Sequence, residues 1–217
     1  MLTESVPPAL KNIQNIIFDL GGVILNIDYN LATQALRQFS SFQKDVEFSQ
    51  KQQSELFDAY EKGEISSAEF RQQLREHYRI NATDDQIDEA WNAMLLDFPQ
   101  ERINLLQALG SKYRLFLLSN TNEIHMLRFN QIANESFSIP SLDSLFEQVY
   151  YSHLIGMRKP DDIVFETILN QNGLKAEETL FIDDSIQHIE SAQKLGIKTL
   201  HLAPPLTINQ ALQHGAL

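Results

Sequence analysis

Hydrophobic and polar positions along this chain follow two rhythms. Near the start, Asn15–Phe18 is a short apolar run of β type that stops at Asp19, and the next such run does not arrive until Tyr113–Leu118. The stretch between repeats apolar residues at helical spacing instead: Leu56, Phe57 and Tyr60, then Phe70, Leu74 and Tyr78, then Ile87, Trp91 and Leu95. Stripes of that period put one face of a helix into a core. Two helix starts are legible as well. Ser66–Glu69 and Thr83–Gln86 each set a hydroxyl three residues before a carboxylate or amide, the capping-box pattern in which both side chains satisfy orphan backbone amides. This is too much helix for one crossover between strands. It predicts a helical cap domain, residues 28–99, inserted into an α/β core domain formed by 1–27 and 100–217, with Pro99 at the return.

Beyond Pro99 the two rhythms alternate. The pattern predicts helix Gln100–Leu109, strand Tyr113–Leu118, a helix from near Thr121, strand Gln148–Ser152, helix Asp161–Asn170, strand Thr179–Ile182, helix Ile186–Leu195 and strand Ile197–Leu202. Gly110, Gly173 and Gly196 stand where these helices should stop. Such βαβ alternation predicts an α/β fold with a doubly wound parallel sheet. No repeat or low-complexity tract interrupts it.

Composition narrows the partners. A chain of 217 residues is long enough to bury a sizeable core. Its formal net charge of -12 disfavours a nucleic acid or an anionic membrane, so a phosphorylated ligand has to be attracted locally. With no cysteine, disulfides and thiolate metal sites are excluded, and a reducing cytoplasm is compatible. The first eight residues lack the basic and apolar blocks of a signal peptide, and no apolar run reaches the ~18 residues of a membrane span. The expectation is a cytoplasmic protein with a small-molecule phosphate ester as partner.

Each β-type run leads to a polar cluster. Asp19-Leu20-Gly21-Gly22 follows the first and Ser119-Asn120-Thr121 the second; Arg158-Lys159-Pro160 lies just beyond the third, and Asp183-Asp184-Ser185 follows the fourth. Ligands of an open parallel sheet bind outside the carboxyl ends of its strands, so these remote clusters are expected to meet. Asp19, on a glycine loop, is suited to act as nucleophile or metal ligand. Adjacent acids such as Asp183 and Asp184 need positive charge beside them, and their oxygens suit Mg²⁺. Ser119–Thr121 offers hydroxyls and backbone amides to an anion. Lys159 can neutralise both a carboxylate and a phosphoryl group. Each cluster alone has an ordinary reading as a turn, a helix cap or a surface lysine. The ordered set points to phosphoryl transfer to an aspartate.

That set resembles the haloacid dehalogenase-like hydrolase superfamily over nearly the whole chain, and the insertion after Asp19 resembles its helical cap. Phe18–Gly21, Gly63–Ser66, Leu118–Asn122, Gly156–Pro160 and Phe181–Asp184 look like the bacterial α-D-glucose-1-phosphate phosphatase branch. The resemblance implies that Asp19 attacks phosphorus and that water hydrolyses the aspartyl-phosphate. It implies Mg²⁺ held by Asp19, the Gly21 carbonyl and Asp184, with Asp183 acting through a metal-bound water. Ser119 and the Asn120 amide would hold phosphoryl oxygens, and Lys159 would bridge Asp19 and the phosphate. The strand ending at Asp19 would lie between those ending at Ser119 and Asp184.

One position departs from the family pattern. Most of its phosphatases carry a general acid/base aspartate two residues after the nucleophile, where this chain has Gly21. Asp28 and His125 are the candidate replacements; their ordinary readings are a linker turn residue and a solvent-facing helix residue. The residues therefore predict a Mg²⁺-dependent phosphomonoester hydrolase of small metabolites, sugar phosphates above all. Two other readings stay open: a metal-independent dehalogenase, which has no use for Asp183 and Asp184, and a catalytically weak phosphometabolite-binding or regulatory protein, which Gly21 favours.

Overall fold

In a computed structural model, residues 10–41 and 55–213 are described. The amino-terminal segment whose composition argues against a signal peptide lies outside them. Five strands, β1 (Asn15–Phe18), β2 (Arg114–Ser119), β3 (Gln148–Tyr151), β4 (Thr179–Asp183) and β5 (Lys198–His201), form one parallel sheet in the order β3-β2-β1-β4-β5. β1 is central, flanked by the strands that end at Ser119 and Asp183, as the resemblance implies. Because side chains alternate across a strand, Ile16, Phe18, Leu115, Leu117, Leu180 and Ile182 enter a core on one face of the sheet. Ile17, Phe116, Leu118 and Phe181 enter a second core on the other. Burial on both faces explains why these strands read as unbroken apolar runs.

Helices cover both faces. They are α5 (Gln100–Gly110), α6 (Glu123–Phe137), the short α7 (Ser152–Ile155), α8 (Asp162–Asn172), α9 (Ile186–Lys194) and α10 (Ile208–Gln213). One helix end and one helix start differ from expectation. α5 runs through Gly110, with Ser111 as its cap. α6 begins at Glu123 with Asn122 as N-cap, its side chain accepting from the His125 amide, so Ser119 ends β2 and Asn120–Thr121 connect it to the helix without forming its first turn.

Among the described residues, four further helices lie between β1 and β2: α1 (Tyr29–Arg37), α2 (Glu55–Glu61), α3 (Ser67–Tyr78) and α4 (Asp84–Asn92). Both capping boxes form, Ser66 with Glu69 and Thr83 with Gln86. The predicted stripes make a separate core in which Phe57 stacks on Trp91 with ring centroids 5.2 Å apart and Tyr60 stacks on Phe70 at 4.1 Å. Two antiparallel segments tie this bundle to the sheet domain: the Asn26 amide donates to the Asp97 carbonyl, the Leu96 amide to Asn26 and the Asp28 amide to Met94, each at 2.9 Å. No helix among the described residues is long and apolar enough to cross a membrane.

Candidate active site

The four clusters predicted to meet do meet at the carboxyl edge of the sheet. Asp19 follows the central strand, its amide donating to the Ile182 carbonyl at 2.9 Å. The chain then turns tightly, with Gly22 donating to the Leu25 carbonyl and Leu25 to Leu20, each at 2.9 Å. Gly22 is at φ +74°, and a Cβ there would sit 2.3 Å from Asp184 Oδ2. This glycine lets the Asp184 carboxylate lie against the backbone of the Asp19–Gly22 loop.

Lys159 is 0% exposed, and its ammonium donates to Asp19 Oδ1 at 2.6 Å and to Asp183 Oδ2 at 2.7 Å. Its position is set by Asn120, whose side chain accepts from the Lys159 amide at 2.9 Å and donates to the Lys159 carbonyl at 2.8 Å. Asn120 thus uses its side-chain amide on the lysine backbone, which leaves the backbone N–H as the group by which this residue can meet an anion. Ser152, at the end of β3, holds the neighbouring turn in the same way, accepting from the Thr121 amide and donating to its carbonyl. Ser119 closes β2 and is buried at the edge.

Asp183 lies two residues before Ser185, which takes the N-cap position of the next helix without a side-chain cap bond. Asp183 Oδ1 accepts from the Ser185 amide at 2.7 Å, and His188 Nδ1 lies 3.0 Å from both Asp183 oxygens. Burial holds His188 below its ordinary pKa, though Asp183 pulls the other way. His188 escaped the sequence reading; the signal was a histidine one turn into the helix after an acidic strand end. Asp184 is partly exposed, and His201 Nε2 meets its carbonyl at 3.0 Å.

One oxygen each of Asp19, Asp183 and Asp184 lie within 4.8 Å of one another. Oxygens on opposite sides of a Mg²⁺ ion are about 4 Å apart, so the cluster has the span of a hard-cation site. Burial pushes the Asp19 carboxyl up to about 8; Lys159 opposes this, while Asp183 and Asp184 reinforce it. Lys159 is held above its ordinary value by Asp183 and Asp19 against the effect of burial. Three carboxylates against one ammonium leave an excess of negative charge that a divalent cation would balance.

Both candidate stand-ins for the missing acid are engaged by other partners, although His125 lines the cavity beside Gly21, Ser119 and Asn120. Asp28 is the N-cap of α1, accepting from the amide and side chain of Asn30 at 2.9 and 3.1 Å. His125 is buried, contrary to its expected solvent-facing place, because it stacks on Trp91 at 4.8 Å with Nε2 3.2 Å from the Trp91 carbonyl. Its other ring nitrogen meets Asn122 at 3.1 Å, and burial lowers its pKa to about 4. Arg158 is turned away from the site and pairs with Asp58 and Glu61 of α2.

A family model described as "Haloacid dehalogenase-like hydrolase" matches residues 16–202. The chain belongs to this family. Within the haloacid dehalogenase-like hydrolases it is 30% identical to a D-ribitol-5-phosphate phosphatase of Bacteroides thetaiotaomicron, over 86% of this chain and 90% of that one. It is 27% identical to a sesquiterpene phosphatase of Aspergillus oryzae over 88% of this chain and 90% of the relative. A crystal structure of a family enzyme from B. thetaiotaomicron, an aspartate-to-alanine mutant in complex with magnesium and inorganic phosphate, superposes with a TM-score of 0.84. It is 35% identical and covers 89% of this chain and 95% of its own. Both named full-length relatives are phosphatases, and this haloacid dehalogenase-like hydrolase groups with them.

Proposed function

We propose that this protein is a Mg²⁺-dependent phosphomonoester hydrolase of small phosphorylated metabolites, principally sugar or polyol phosphates, acting through an aspartyl-phosphate on Asp19. One observation carries the reading: Asp19 ends the central strand inside a buried acidic triad, with one carboxylate oxygen fixed 2.6 Å from the Lys159 ammonium. That contact aims the second oxygen and favours the ionised carboxylate against burial, which still holds the Asp19 pKa up at about 8; a divalent cation beside it would lower it further.

In the first step an Asp19 oxygen forms a bond to phosphorus while the bond from phosphorus to the ester oxygen breaks, and a proton passes to the leaving alcohol. In the second, water attacks phosphorus and releases the Asp19 carboxylate and inorganic phosphate. Ser119 and the Asn120 backbone amide are suited to hold phosphoryl oxygens. Lys159 has three protons, of which Asp19 and Asp183 accept two; the third is the one a phosphoryl oxygen would take. Asp19, the Gly21 carbonyl and Asp184 would hold the metal. Asp183, whose oxygens already serve Lys159, Ser185 and His188, would act from the outer sphere. Bound Mg²⁺ supplies charge neutralisation between nucleophile and phosphoryl group.

The ribitol phosphate and magnesium–phosphate relatives support the substrate class and the metal. The helices between Tyr29 and Asn92 serve as a cap that closes over the crevice, hinged at the paired segments around Ile27 and Leu95. Gly21 favours a second reading, a phosphometabolite-binding protein with weak turnover. Hydrolysis of p-nitrophenyl phosphate with Mg²⁺ and with excess chelator separates the two. Metal-dependent release of nitrophenol supports the enzyme; binding of phosphate with no release supports the second reading.

A further inference from the structure

Asp183 and Asp184 are neighbours in sequence with separate supports. Asp183 is 0% exposed; its Oδ2 accepts from the Lys159 ammonium and its Oδ1 from the Ser185 amide. Across both oxygens lies Nδ1 of His188, 3.0 Å from each. A carboxylate only accepts hydrogen bonds, so this ring nitrogen carries the hydrogen. His188 is itself buried in the first turn of α9, where close packing leaves the ring little freedom to swing away.

Asp184 is the first residue past β4 and is held through its backbone. The Leu202 amide donates to the Asp183 carbonyl at 2.9 Å, and the next carbonyl, that of Asp184, is met by Nε2 of His201 at 3.0 Å. A carbonyl also only accepts, so Nε2 is the donor here. The register of β4 and β5 pairs Asp183 with His201, which brings the imidazole alongside the peptide that follows Asp183. The side chain thus extends the β4–β5 ladder by one bond and fixes the backbone from which the Asp184 carboxylate lies against Gly22.

Mg²⁺ makes a demand on such a pair that Ca²⁺ does not. It takes near-ideal octahedral geometry at about 2.0–2.1 Å, whereas Ca²⁺ accepts roughly six to eight oxygens at about 2.3–2.6 Å in flexible arrangements. Acids free to drift by a few tenths of an ångström therefore fail the smaller ion first.

We propose that His188 and His201 are positioning residues that hold Asp183 and Asp184 to the geometry Mg²⁺ requires, and so favour Mg²⁺ over Ca²⁺ at this site. This rests on the metal-dependent reading above. Neither imidazole is a ligand: His188 acts through the Asp183 carboxylate and His201 through the Asp184 backbone.

The test is calorimetric titration of Mg²⁺, and separately of Ca²⁺, into the full chain with no ester present. His188→Leu and His201→Leu should each weaken Mg²⁺ binding by about 10–100-fold, as expected when a metal ligand loses its hydrogen-bonded support, and should weaken Ca²⁺ binding several-fold less. Asn places an N–H near the position of Nδ1 and Gln near that of Nε2, so His188→Asn and His201→Gln should keep the Mg²⁺ affinity close to that of the wild type. Equal losses for the two cations would mean that the histidines supply charge or stability and not geometry. That result, unchanged Mg²⁺ affinity in the leucine variants, or amide variants as weak as the leucine ones would overturn the proposal. If buried His188→Leu does not fold, the two variants of half-buried His201 decide. Since no ester is present, a protein that binds Mg²⁺ and hydrolyses nothing refutes the phosphatase reading alone, and one that binds no Mg²⁺ refutes both.

Discussion

The sheet edge and the helical bundle handle charge in opposite ways. At the edge, Lys159 and Asp183 are both 0% exposed and each charged group is fixed by more than one partner. In the bundle, ion pairs such as Arg71 with Asp88 and Arg75 with Asp84 run along partly exposed helix surfaces, and the buried interior is aromatic. A buried ionic network leaves no room for adjustment, because removing one member strands another charge in low dielectric. Surface pairs contribute about 0–1 kcal/mol and tolerate change. The edge therefore suits a fixed reaction, and the bundle suits variation in what is admitted to it.

This contrast yields graded expectations. The largest effect is at Asp19. Asp19→Asn should lower kcat on every phosphate ester by at least about a thousandfold, with circular dichroism unchanged, since an amide is a far poorer nucleophile. Next comes the metal: excess chelator should abolish turnover and Mg²⁺ restore it, while Asp184→Ala should raise the Mg²⁺ concentration needed for half-maximal rate by an order of magnitude or more. Full activity in chelator would revive the dehalogenase reading. Lys159→Met should cost about 3–5 kcal/mol in urea unfolding, because Asp19 and Asp183 lose the charge between them.

At the bundle the effects are smaller and selective. Arg158→Ala should lower the melting temperature by several degrees, because the buried Glu61 carboxylate loses its pairing charge, while kcat on aryl phosphates changes little. A large loss of kcat would place Arg158 with the edge machinery. The smallest expected change is a gain. Gly21→Asp should raise the rate on alkyl phosphates, with poor leaving groups, more than on aryl phosphates, recovering part of a proton-transfer contribution of roughly 10²–10⁴. A Cβ at Gly21 meets only the end of the Ile27 side chain, at 2.9 Å, which a rotamer shift relieves. Gly22 allows no such change. Equal gains on both ester classes, or none, would mean that proton transfer is not what Gly21 limits.

The two regions also differ in how far the sequence exposes them. At the edge, one residue type at the end of one apolar run is enough: Asp19 follows its strand, and Ser119 and Asp183 close theirs, each strand being written as a continuous apolar run by burial on both faces. The bundle's helices were readable from their stripes and caps, but the part of it that faces the cavity was not. Glu61 belongs to the same helix face as Phe57, and its partner Arg158 lies on the far side of the chain, so no local pattern joins them. His125 shows the converse. Its neighbours in sequence suggest an exposed helix, and only the stacking on Trp91 from a remote helix buries it.

The covalent role of Asp19 is open to direct chemical reading. The enzyme is mixed with Mg²⁺ and a phosphate ester, quenched in acid within the first turnovers, reduced with borohydride and mapped by peptide mass spectrometry. An acyl-phosphate is reduced to an alcohol, so homoserine should replace Asp19 only when substrate is present, with Asp183 and Asp184 intact. Turnover with no homoserine at position 19, or homoserine at another aspartate, would contradict the mechanism.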